Sequence, residues 1–221
     1  MVGTSILAFA SYTLVKMITE KGAESISYKV PDDLAEQINK NVIGHAAAGA
    51  AAGVASGFLP GVGAVISTGV AIGAIWSMYI RIGNLCGIPF KKNLLKSIAS
   101  AILANVITGI AGTLVFGVVS SFVPGLASAV EAIVNFVAIY AAGIIFIKML
   151  TMLVEKNGAN FDILSEEDLK KAAKEASDNT NITDISKEAK SVFKDMKKDG
   201  SLEEMGKSFD INPQDDSTQS E

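Results

Sequence analysis

Polar and apolar positions are sorted along this chain into long blocks. Asn41 to Ile80 is 40 consecutive positions without Asp, Glu, Lys or Arg, and Ser97 to Ile147 holds one formal charge, Glu131, in 51 positions. Soluble cores are rarely this continuous, so the blocks read as membrane segments. Two similar stretches, SGFLPG ending at Gly61 and SSFVPG ending at Gly125, interrupt them. Proline removes an amide donor and disfavours helix in the residue before it, while glycine accepts the backbone angles of a tight reversal. Pro60-Gly61 and Pro124-Gly125 are therefore the expected turns of two helical hairpins, 41–80 and 97–150. Nothing alternates as a barrel strand would, so the expectation is an all-α integral membrane protein with four membrane helices. A short apolar N-terminal helix (Val2 to Val15, within a 1–30 segment) precedes the membrane domain at 31–154.

Charge gives the hairpins a direction. Lys40, Arg81, Lys91, Lys92, Lys96, Lys148 and Lys156 flank the apolar blocks on one side, and neither Pro-Gly turn carries Lys or Arg. The positive-inside rule then places both termini and the 81–96 loop in the cytoplasm, with the turns across the inner (cytoplasmic) membrane. The Val2–Val15 run has no basic residue ahead of it and reads as a helix that stays on the protein.

Within the first hairpin, Gly49, Gly53 and Gly57 recur every four residues, echoed by Gly69 and Gly73. Such a ladder lets backbones approach closely, either inside the hairpin or between copies arranged around a pore. Glu131 is an ionisable group inside a span, which makes it a candidate for ion or proton passage or subunit contact. It also lies in the first turns of its helix, where the dipole favours an acid. Asn105 and Asn135 are candidates for hydrogen bonds between helices. His45, the single histidine, stands near the cytoplasmic end of the first span, where a hydrogen-bonded structural role outweighs pH sensing.

The chemistry that the sequence offers is sparse. One cysteine, Cys86, and one histidine leave no multi-cysteine or His-rich metal set, and no phosphate-binding loop or nucleophile elbow is present. The expectation is a protein without enzyme activity, cofactor or metal. Residues 1–154 carry a net +3 and residues 155–221 a net −7, with no basic patch interleaved with aromatics, so nucleic acid is not an expected partner.

The tail reads as amphipathic helices over 155–200 and a disordered acidic end over 201–221. Ser165, Glu166, Glu167 and Asp168 form a cap and acidic first turn. Further on, Ile185, Ala189, Val192, Phe193 and Met196 follow one apolar stripe, flanked by Lys187, Lys190, Lys194, Lys197 and Lys198 and ended by Gly200. That helix needs a surface: an anionic leaflet, a protein partner, or its own domain.

GHAAAGAAAGVASGFLPG (44–61), WSMYIRIGNLCGIPF (76–90) and SSFVPGLASAVEA (120–132) together resemble the GTPase-associated domain of unknown function found in YcjF-like bacterial membrane proteins and at the C-terminus of some Era-like GTPases. The likeness covers about half of the chain, does not extend to the tail, and implies architecture and a partner class rather than a mechanism. The expected function is a non-enzymatic membrane anchor or scaffold presenting its helical tail to a cytosolic protein, with a GTPase as the implied partner. The alternatives are a pore or channel assembled by further copies through the glycine-rich helices, or a helical bundle that enters the bilayer conditionally.

Overall fold

A computed structural model describes residues 5–22, 30–56, 63–88, 95, 98–108, 126–158 and 165–209. Among these, every regular element is helical: α1 (Ile6–Gly22), α2 (Leu34–Ser56), α3 (Gly63–Leu85), α4 (Ile98–Thr108), α5 (Leu126–Asn157), α6 (Glu166–Asp178), α7 (Ile182–Asp199) and α8 (Ser201–Ser208). Both Pro-Gly turns and Gly57 lie outside the described residues, and Gly53 and Gly69 are placed only as helix backbone.

The molecule is organised around α5. All residues from Asn135 to Ile147 are buried, so the middle of this helix is covered on every side. A helix apolar all round requires such a cover, from either lipid or protein. Here α1, α2, α3, α6 and α7 all pack on it, and α4 adds Ile98, Ile102, Leu103 and Val106 to the same core. Among the described residues the most extensive contact is α2 with α5, ahead of the α2–α3 pairing that the first hairpin implies. Among the described residues, one segment, Val130–Asn157, is long and apolar enough to cross a membrane, and most of it is buried within the protein. The described part of α4 is also apolar, but it is only about 16 Å long at 1.5 Å per residue.

The tail departs from expectation in one respect. The segment after Gly200 was expected to be disordered, yet Ser201–Ser208 is helical. Gly200 has φ 81°, a left-handed conformation that ends α7, and the Ser201 amide donates to the Asp199 carboxylate at 2.9 Å. Leu202 and Met205 then pack against the core, and this apolar contact offsets the acidic composition that argued for disorder.

Cys86, just after α3, is 1% exposed, and burial pushes its thiol up to about 12. Thiolate is the reactive form, so its population at neutral pH falls by about three orders of magnitude. In folded protein, Cys86 is expected to be almost silent toward a disulfide exchange reagent and to react on unfolding. Native labelling at the rate of a free thiol would show that the end of α3 opens.

Candidate functional site

The tail helices meet the apolar helices along one continuous seam. Lys148 Nζ on α5 donates to Thr180 Oγ1 at 3.2 Å, Tyr140 Oη donates to Glu188 Oε1 at 2.6 Å, and the Phe136 and Phe193 rings meet edge to face at 5.4 Å. These contacts fall in opposite sequence order on the two partners, so α7 runs antiparallel to α5 and lies beside its middle. The stripe read from the sequence supplies the inner face: Ile185, Ala189, Phe193 and Met196 are buried and Val192 is half-buried. Lys187, Lys190, Lys194 and Lys197 recur at three- and four-residue spacing on the opposite face and are exposed. The stripe's surface is thus its own domain, and a partner meeting this arrangement would encounter the lysines.

Local sequence explains why α6 and α7 form where they do. Ser165 and Asp168 complete a reciprocal capping box at the start of α6, which holds the exposed Asp168 carboxyl below its ordinary value through the Ser165 hydrogen bonds. Asn181 Oδ1 accepts from the Thr183 and Asp184 amides and caps α7.

Glu188 is the centre of the seam. Its Oε1 accepts from Ser5 Oγ at 2.8 Å and the Leu7 amide at 3.2 Å as well as from Tyr140, and its Oε2 accepts from the Ile6 amide at 2.7 Å. The carboxylate thereby caps the first turn of α1, where unsatisfied amides and the helix dipole favour a negative charge. Desolvation pushes the carboxyl up, but hydrogen bonds from Tyr140, Ile6, Ser5 and Leu7 outweigh it, and Glu188 sits below its ordinary 4.5. A depressed folded value means that its contribution is present in full above pH 4.5 and is lost as pH falls through the lower folded value.

A second contact closes α8 over α2. A Cβ placed on Gly206 would stand 3.1 Å from the Ala47 carbonyl oxygen, so the two backbones approach closely. Phe209, just past α8, lays its ring against Gly44, meets the His45 ring edge-on at 5.3 Å, and has the Arg81 guanidinium 5.8 Å from its centroid. His45 is fully buried, with Nδ1 donating to the Asn41 carbonyl at 2.8 Å and Nε2 3.3 Å from Ser77 Oγ on α3.

The remaining candidates divide. Gly49 lies against α5, where an added Cβ would be 2.1 Å from Ile139 Cδ1, and its carbonyl accepts from Asn135 Nδ2 at 3.3 Å. Asn135 is thus an interhelical partner, whereas Asn105 is on the exposed face of α4. Glu131 and Gly73 are half-buried. Gly143, which the ladder did not include, packs against Val42 and completes the α2–α5 crossing. Glu188 and Phe209 were also missed; the available signal for Glu188 was an acid at the edge of an otherwise apolar stripe.

An open cavity of about 430 Å³ lies between the end of α5 and α6, lined by Glu155, Lys156, Asp168, Lys171 and Glu175 among others. Its charges are mixed, and among the described residues no group of three or more His, Cys, Asp or Glu could hold a metal. The chain matches no protein-family model, no curated protein and no solved structure.

Proposed function

We propose that this chain is a non-enzymatic membrane anchor whose hairpins enter the cytoplasmic membrane from the cytoplasmic side, with both termini cytoplasmic, and whose tail helices α6–α8 engage a cytosolic protein partner. The observation that carries this reading is α5, a helix of membrane-spanning length that is apolar around its whole circumference. Close approach of α2 at Gly49 and Gly143 supports helix pairing of the kind that membranes favour. The GTPase partner class rests on the sequence resemblance alone.

The docked tail favours conditional entry over permanent insertion. If α5 spanned a bilayer with α7 beside its middle, Lys187, Lys190 and Lys194 would be carried toward the hydrocarbon, at about 2.5–3.5 kcal/mol each on insertion scales. Docking and spanning therefore exclude each other. The closed bundle is the water-facing arrangement, and spanning requires α7 to leave. A pore reading finds less support, because the Gly49 face is taken by Ile139.

Carbonate extraction of cell membranes tests the reading. A fraction of the chain is expected to resist extraction, and cysteines introduced at Gly61 and Gly125 should be protected from cytoplasmic reagents in that fraction. Complete release into the supernatant would leave a soluble bundle and remove the anchor.

A further inference from the structure

We infer that Glu188 is the catch of an autoinhibitory clasp: while its carboxylate joins α1 to Tyr140, α7 is held over the middle of α5 and the tail is withheld from other partners. The consequence for lipid rests on the membrane reading above; the clasp itself does not.

Three observations converge on this residue. First, Glu188 of α7 ties the start of α1 to the middle of α5, since its partners are Ser5, Ile6 and Leu7 on one side and Tyr140 on the other. The buried residues of α7 are Ile185, Ser186, Ala189, Phe193 and Met196, so among the described residues Glu188 carries the helix's one charged contact to the core. Second, the contact is placed where it matters. Tyr140 lies near the midpoint of α5, so release at Glu188 uncovers the part of the helix that would sit deepest in a bilayer. Third, hydrogen bonds to a carboxylate are directional and stronger than neutral ones, so they fix the register of a helix whose apolar stripe alone would tolerate sliding. What release frees is already shaped for another surface: an amphipathic helix with one apolar stripe and exposed lysines opposite it.

Hydrogen exchange on the full chain at pH 7 tests the clasp, using Glu188→Ala and Glu188→Gln with circular dichroism to verify that helix content is kept. Amides of α7 should lose protection by at least about tenfold in Glu188→Ala, while those in the middle of α2 and α5 stay within a few-fold of the parent. Tyr140→Phe removes one donor and leaves the α1 cap, so it should give a smaller loss confined to α7. It also keeps the inference testable if Glu188→Ala fails to fold. Unchanged α7 protection in all three variants, or a loss shared equally by α2 and α5, would overturn the clasp.

Flotation with phosphatidylcholine–phosphatidylglycerol vesicles (3:1), run on the same variants, separates the two readings. Freed α7 with increased vesicle binding supports both. Freed α7 with no increase supports the clasp and counts against the membrane anchor.

Discussion

Phe146→Ala should lower the stability of the closed bundle by about 3–5 kcal/mol, the range for removing a large buried aromatic from a packed core. Phe146 is fully buried on α5, and its ring stacks on Tyr79 of α3 with centroids 3.8 Å apart and planes 9° from parallel. Truncation removes the α5 half of that stack and leaves a cavity lined by residues held at both ends. Tyr79 cannot readily swing into the space, because its hydroxyl donates to the Ala142 carbonyl one turn away on α5 at 3.0 Å. Trp76, the single tryptophan, sits on α3 one turn before Tyr79, so its emission reports unfolding of this region. The measurement is the guanidinium midpoint in buffer or mild detergent, with Tyr79→Phe as the companion expected to lose about 1 kcal/mol. A loss below 1 kcal/mol for Phe146→Ala would mean that the α3–α5 stack is not a fixed part of the core.

Much of the helical plan is legible in the sequence because it depends on neighbours within a turn or two. The Ser165–Asp168 cap, the stripe from Ile185 to Met196 and the stop at Gly200 are local patterns, and α6 and α7 follow them. The far end of α5 is less so. Lys148 looks like the end of a span, but one lysine does not stop a helix when its stem can lie along the core and its head can reach Thr180. The helix runs on to Asn157 and is followed by Gly158, which has φ 63° and ends it. What covers each apolar face is the least legible part. Periodicity shows that α7 has an apolar stripe and that α5 is apolar all round; it does not say that one covers the other. Glu188 meets its α1 partners across more than 180 positions of sequence, and no local pattern encodes that pairing.

Gly49 gives the clearest separation between a packing surface and a pore-lining one. In the closed bundle an alanine there would bring its Cβ to 2.1 Å from Ile139 Cδ1, so Ile139, itself fully buried, must turn away. The helix gains about 1 kcal/mol when glycine becomes alanine in its interior, which offsets part of that strain, and Gly49→Ala should change stability by only about 1 kcal/mol in either direction. Gly49→Leu has no such compensation. Its branched end would need the space held by Ile139, and moving α2 outward would pull the Gly49 carbonyl from Asn135 Nδ2. Overpacking costs about 1–3 kcal/mol and loss of a buried hydrogen bond about 1 kcal/mol more, so a decrease of about 3 kcal/mol or greater is expected. Unfolding midpoints of the two variants, read through Trp76, give the comparison. A large gap between alanine and leucine places Gly49 against α5, as a packing glycine. Equal tolerance of both would mean that the Gly49 face is open, which is the condition that a glycine-lined pore requires.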